Sequence, residues 1–163
     1  MTLSAAERER YQRHLTLEEI GPVGQEKLRA ARVLVVGVGG LGSPAALYLA
    51  ASGVGTLGLV DCDRVDTSNL QRQVLFDTAS VGRLKVEAAR ERLLALNPHI
   101  DVRPHALELR ADNVLDVVRE YDVVAEAMHT LYRLGGEMAH LATPFVASGE
   151  HMSPPNRFAS DKV

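Results

Sequence analysis

Cysteine is almost absent from this chain: one residue, Cys62, in 163. A single thiol forms neither an intrachain disulfide nor a Cys-rich zinc site, so the disulfide-stapled secreted class is set aside. Tryptophan is missing and aromatic residues make up only 4%, leaving Ala, Val and Leu to build the interior. No charge of one sign prevails. Eighteen basic and 21 acidic side chains leave a net charge of −3, which gives no reason to expect a nucleic acid or an anionic membrane as partner. No apolar run reaches the roughly 18–20 residues of a membrane span, and the acidic, polar N-terminus does not read as a signal peptide. The expectation is a soluble, cytoplasmic protein. Neither internal repeats nor low-complexity tracts occur. What is present is ordinary for a globular domain, with 46% hydrophobic and 24% charged residues. A chain of roughly 150 residues hides about 68–70% of its unfolded surface, enough for a sizeable core.

Small aliphatic residues suit helices layered on a parallel sheet, whose strands are buried on both faces and read as unbroken apolar runs. Arg32–Val36 is such a run, ending at Gly37, and Gly55–Val60 is a second, ending at Asp61. Asp101–His105 alternates more and reads as a strand nearer an edge. Tyr121–Ala125 and Pro144–Ser148 are the fourth and fifth. Helical stretches fall between them. Ser43–Ser52 is Ala/Leu-rich and closed by Gly53, Gly82–Leu96 stops at Asn97-Pro98, and Ala111–Glu120 follows. Alternating strands and helices predict an α/β, Rossmann-like doubly wound and mainly parallel sheet. Glu7–Leu17 is charged and reads as helical. One domain is therefore expected over residues 1–163: an N-terminal helical arm (1–30) beside the sheet, a core (31–149) and a tail (150–163).

The residues with chemistry begin where the first strand ends. Gly37-Val38-Gly39-Gly40-Leu41-Gly42 matches G-x-G-x-x-G directly after a strand and before a helix. Glycines there permit a tight turn and let phosphates approach backbone N–H groups at a helix N-terminus. Asp61 ends the second strand, where an acid can bind ribose hydroxyls. Alone, this pattern points to NAD. The segment after Asp61 points elsewhere: residues 61–73 are long, polar and without apolar periodicity. They place Asn69, Arg72 and Gln73 within about one turn of each other, and Lys85 opens the next helix. Arg72 can fork onto a phosphate, and an Arg and a Lys converging on a phosphate loop suit a triphosphate better than a dinucleotide.

Five stretches together carry a resemblance: Arg10-Tyr11-Gln12-Arg13-His14, Gly24–Leu28, the run Gly37–Ser43, Asp61–Gln73 with its Ser-Asn-Leu-Gln-Arg-Gln, and Val81–Glu87. Over residues 8–124 the chain resembles the ubiquitin-activating-enzyme-like adenylyltransferases, within them the MoeB/ThiF/HesA group. The resemblance implies an ATP-dependent adenylyltransferase that activates the C-terminal carboxylate of a ubiquitin-like sulfur carrier, of molybdopterin or thiamine biosynthesis type, with ATP and Mg²⁺. It implies that Gly37, Gly39, Gly40 and Gly42 bind ATP phosphates, Asp61 the ribose, with Asp63 and Gln73 also at the nucleotide. Asn69, Arg72 and Lys85 would hold the triphosphate. It further implies a homodimer in which Arg13 reaches the neighbouring subunit's site, making Arg13, Arg72 and Lys85 the catalytic set.

After the fourth strand the pattern departs. The group carries an acidic run there whose second Asp holds Mg²⁺, and this chain has Glu126-Ala127-Met128-His129 in register. Glu126 matches the first acid in charge, but His129 stands at the metal-binding acid, and imidazole suits this hard ion poorly. No metal ligand is assigned from sequence. A shortened or impaired enzyme, a non-catalytic nucleotide-binding homologue and an NAD(P)-dependent oxidoreductase domain are the alternatives. Cys62, flanked by two acids, is expected to be an unreactive thiol. His14, His99, His105, His140 and His151 show no paired ligand spacing and are expected to be surface or internally satisfied residues.

Overall fold

The structure, a computed structural model, describes residues 3–127. The expected fifth strand, the tail, His129, His140 and His151 lie outside these residues. Four strands form one parallel sheet in the order β3-β2-β1-β4: β1 (Arg32–Val36), β2 (Thr56–Val60), β3 (Asp101–His105) and β4 (Val123–Glu126). The chain enters mid-sheet, winds outward through β2 and β3, then crosses to the far side of β1. This reversal opens a crevice at the carboxyl ends of β1 and β4, where open α/β sheets bind ligands.

Both faces are covered, which explains the apolar runs. Val33, Val35, Leu57 and Leu59 pack under α4 (Gly42–Ser52) and α5 (Lys85–Leu96), against Ala46, Ala50, Val86, Ala89 and Leu93. Leu34, Val36 and Val60 face the opposite layer, built from Val114 and Val117 of α6 (Val114–Val118) and from Tyr121. Gly58 makes room in β2, because a Cβ there would overlap the Tyr121 ring. The Tyr121 hydroxyl lies 2.7 Å from His105 Nε2. Burial pushes the His105 ring below the ordinary imidazole pKa, with Glu120 opposing and Arg103 reinforcing the shift.

The elements differ from the expected bounds where backbone geometry intervenes. The arm is not one helix over Glu7–Leu17 but α1 (Ala5–Arg10) and α2 (Gln12–Leu15), broken at Tyr11, which turns its ring into the core. A third helix, α3 (Gly21–Ala30), leads into β1. Helix α5 begins at Lys85 rather than Gly82, whose φ of +84° is left-handed. Helix α6 is shorter than Ala111–Glu120, and β4 starts at Val123 because Tyr121 is committed to the α6 layer.

The arm packs at the end of the sheet where the strands begin. Ser4 caps α1 through a reciprocal capping box with Glu7, and Glu7 also pairs with Arg29 of α3. A buried polar chain then ties the arm to the last turns of α4 and α5. His14 Nδ1 lies 2.8 Å from Gln25 Oε1, and Gln25 Nε2 donates to the Ser52 carbonyl. Asn97 Nδ2 donates both to the Tyr11 hydroxyl and to the Ala50 carbonyl. Among the described residues no helix is long and apolar enough to cross a membrane.

Candidate functional site

The crevice floor is the loop from β1 to α4. Gly37 turns the chain with φ +84°, and its N–H donates to the Val60 carbonyl. Gly42 must lack a side chain, since a Cβ there would overlap the Gly37 carbonyl. Ser43 fastens the turn from below: its hydroxyl donates to the Val38 carbonyl at 2.9 Å while its N–H donates to the Gly39 carbonyl. Gly39 and Gly40 are different. A Cβ on either would meet only ordinary contacts, Gln73 Nε2 at 3.7 Å and the Arg72 stem at 3.6 Å. Neither position needs glycine for the fold. Among the described residues the N–H groups of Gly39, Gly40 and Leu41 meet no acceptor, so they stand open at the N-terminus of an eleven-residue helix. That is the arrangement that takes an anion.

Asp61 is 7% exposed and pins two loops at once. Its Oδ2 accepts from the Val38 N–H and its Oδ1 from the Asp63 N–H, both at 2.9 Å. One lone pair on each oxygen remains for a further donor. The polar segment that follows folds back over the glycine loop. Asp66 caps a 3-10 turn, Thr67–Asn69, and the Asn69 carbonyl accepts from the N–H groups of Arg72 and Gln73. This sets Arg72 above Gly40 and Gln73 above Gly39. The Gln73 side chain is buried, and its Oε1 has no partner. A buried acceptor left open is costly unless something donates to it. The segment ends by pairing with the approach to α5: Val65 N–H donates to Arg83 O, and Lys85 N–H to Asp63 O.

Lys85 has a 6% exposed side chain whose Nζ lies 2.9 Å from Asp63 Oδ2, itself 65% exposed. It is a buried cation at the lip of the crevice rather than a solvated surface charge. Cys62 is exposed, and burial, then the flanking Asp63 and Asp61, push its thiol pKa up. The expected inertness is what this environment favours. His14 and His105 bond within the protein, and among the described residues no group of three or more His, Cys, Asp or Glu side chains could hold a metal ion.

The ThiF family model matches residues 11–133, a span that takes in the glycine loop, the folded-back segment and Lys85. The chain belongs to the ThiF family. It is 52% identical over 124 residues to the probable adenylyltransferase/sulfurtransferase MoeZ of Mycobacterium tuberculosis, covering 76% of this chain and 32% of MoeZ. To the sulfur carrier protein adenylyltransferase of Thermus thermophilus it is 44% identical over 149 residues, covering 90% of this chain and 55% of that protein. Among solved structures, E. coli TcdA, a tRNA N6-threonylcarbamoyladenosine dehydratase crystallised with AMP, superposes with a TM-score of 0.80 at 30% identity. That likeness covers 88% of this chain and 59% of TcdA. E. coli MccB with ATP gives 0.72 at 32% identity, over 83% of this chain and 42% of MccB. The chain thus spans between about a third and three fifths of the length of these relatives.

Of the residues expected at the site in this ThiF-family chain, the glycines, Asp61, Asp63, Asn69, Arg72, Gln73 and Lys85 come together at the crevice. Arg13 does not. It lies on α2, exposed, two residues past Tyr11, and Tyr11 sits against Gly53 at the far end of α4. Eleven helical residues put that end about 16 Å from the glycine loop. Sequence reading passed over Ser43, although it stands directly after the last glycine of the motif.

Proposed function

We propose that the chain is the nucleotide-binding unit of an ATP-dependent adenylyltransferase that activates the C-terminal carboxylate of a ubiquitin-like sulfur-carrier protein. The observation behind this reading is the roof of the crevice. Arg72 lies over Gly40, the amide nitrogen of the buried Gln73 lies over Gly39, and a buried lysine closes the lip. Such a lining suits a phosphate chain, and two solved relatives hold AMP and ATP. The phosphates would take the open N–H groups of Gly39, Gly40 and Leu41, with Arg72, Asn69 and Lys85 gripping from above. Asp61 would accept from a ribose hydroxyl on its free lone pairs while continuing to hold the loop.

In the reaction, an oxygen of the carrier's terminal carboxylate attacks the α-phosphorus. The bond from that phosphorus to the bridging oxygen breaks, and pyrophosphate leaves with the electron pair, giving the acyl-adenylate. No protein atom forms a covalent bond, so positioning and electrostatics supply the rate. Arg72 and Lys85 would hold the negative charge that gathers on the departing oxygens. Magnesium, when bound, would neutralise part of that charge. The described residues alone build no three-ligand acidic site for it, and Glu126 at the end of β4 is the carboxylate that the family pattern brings to the crevice. Arg13 would complete the site from a second copy of the chain, since it stands at the wrong end of its own.

Calorimetry with ATP, AMP and NAD⁺ on the same preparation tests the nucleotide reading. ATP and AMP should bind and NAD⁺ should not. Tighter binding of NAD⁺ than of ATP would refute it. The shared site is tested by mixing Arg13→Ala and Lys85→Ala chains, which should regain ATP affinity that neither variant has alone.

A further inference from the structure

The two cations of the crevice are held in different ways. Arg72 gives one N–H to a neutral acceptor, the Ser68 carbonyl at 3.2 Å, so its charge is not cancelled. Lys85 is neutralised by the protein itself: its Nζ lies 2.9 Å from Asp63 Oδ2. Burial is uneven across this pair, with the lysine side chain 6% exposed and the aspartate 65%. The backbone arranges the meeting, since the Lys85 N–H donates to the Asp63 carbonyl and the Asp63 N–H donates to Asp61 Oδ1. The two acids of this segment therefore differ in task. Asp61 directs both oxygens at backbone N–H groups, and Asp63 directs one at the cation.

We propose that Asp63 is a built-in competitor of the phosphate chain for Lys85, an internal anion that lowers nucleotide affinity rather than a group that binds the nucleotide. The inference rests on the ATP reading above and reverses the sign of one residue in it. Exchange is favoured over a shared contact for two reasons. A carboxylate and a phosphate on neighbouring donors of one ammonium would set like charges side by side. Asp63 is also the partner able to leave, because most of its side chain already lies in water, whereas Lys85 is enclosed and must keep an anion. A ligand binds only as well as its contacts exceed those it displaces, so the Asp63 contact is subtracted from the affinity of any phosphate that reaches Lys85. A nucleoside without phosphate does not reach it and is unaffected. The same contact steadies the chain when no ligand is bound, which links stability to affinity with opposite signs.

The test is Asp63→Asn, which keeps the size and both backbone anchors of Asp63. Its control is Glu87→Gln, which removes an exposed carboxylate from the same first turn of α5. A buried lysine makes the pair stronger than a surface one, and an exposed aspartate makes it weaker than a full charge-assisted bond. By calorimetry, ATP and inorganic triphosphate should therefore bind Asp63→Asn about three- to tenfold more tightly than the parent. Adenosine affinity should not change, and Asp63→Ala should repeat the gain. Without ligand, Asp63→Asn should melt about 2–4 °C below the parent. In saturating ATP the two should melt together, because the pair is already broken there. Weaker ATP binding by Asp63→Asn would overturn the proposal and make Asp63 a ligand of the nucleotide or its metal. Unchanged affinity, or an equal gain in Glu87→Gln, would overturn it too. If the gain appears for triphosphate while ATP binds neither protein, the exchange stands and the nucleotide reading fails. If the parent binds ATP and neither Asp63 variant gains, the nucleotide reading stands and the exchange fails. If no variant binds either probe, both fail.

Discussion

Gly40→Ala separates what the fold requires from what a ligand requires. At Gly40 the added methyl meets nothing nearer than 3.6 Å, and φ is not left-handed. The folded state accepts it, and the unfolded chain loses freedom, so stability should hold or rise by about 0.4–1 kcal/mol. For a domain of this size that is a melting shift of a few degrees upward. Gly42→Ala is the contrast, because its methyl would overlap the Gly37 carbonyl, and the displacement should cost about 3 kcal/mol or more. If phosphates rest on the N–H groups of Gly39 and Gly40, the methyl of Gly40→Ala occupies their path. One charge-assisted hydrogen bond at about 1.5–3 kcal/mol would be lost, which is roughly a ten- to hundred-fold loss of ATP affinity. The assay is paired: thermal unfolding without nucleotide, and ATP titration by calorimetry. Unchanged ATP binding in a stably folded Gly40→Ala would refute the reading of the loop as a phosphate cradle. A destabilised Gly40→Ala would refute the geometry.

Other substitutions probe the roof, the arm and the sheet edge. Arg72→Ala should weaken ATP at least tenfold and AMP less, because a guanidinium over the phosphate chain has less to grip in AMP; equal losses by calorimetry would move Arg72 off the triphosphate tail. Tyr11→Phe removes the acceptor for Asn97 Nδ2 inside the core and should cost about 1–3 kcal/mol in urea unfolding, while ATP binding at 25 °C stays within twofold. Burial lowers the His105 pKa in the folded protein, so the unfolded state binds the proton more readily. Its contribution is present above the ordinary histidine range and is lost as pH falls through it. Melting temperature should therefore drop between pH 7 and 5, and His105→Gln should flatten that slope.

Most of the sheet was legible because buried parallel strands need continuous apolar residues, and Arg32–Val36 and Thr56–Val60 have little else. The glycine loop was legible for a similar reason, since few turns join a strand to a helix with that spacing. The segment over the loop was legible in its polar residues and its motif, but not in its shape. Nothing periodic in Asp61–Gln73 announces that the Asn69 carbonyl will gather two N–H groups and set Arg72 and Gln73 side by side. The break at Tyr11 was not legible either. Charged residues on both sides read as one helix, and the cause is tertiary: the ring must reach Gly53 and Asn97, some 40 and 80 residues on. Nothing in the sequence announces that the polar Gln25 and Asn97 are fully buried, because each has partners that only the assembled helix ends provide.

On the nucleotide reading proposed above, the Lys85–Asp63 pair would hold the lip of the site until a phosphate replaces it. A buried ammonium with no partner would cost several kcal/mol, so the protein supplies an anion of its own. Asp63 does so from the exposed side, reaching in to Lys85 while its own carboxylate stays mostly in water. A phosphate arriving at the lip can take over Lys85, and Asp63 can turn back to solvent at little cost. The backbone does not have to follow. Asp63 N–H remains on Asp61, and Asp63 carbonyl remains on the Lys85 N–H, so both anchors survive when the side-chain contact is exchanged. Asp61 meanwhile holds Val38 from the same carboxylate. On that reading, ligand entry would be a swap of one ion pair within a frame already set, the kind of preorganisation that lets fixed charges act on a developing one without reorganising first.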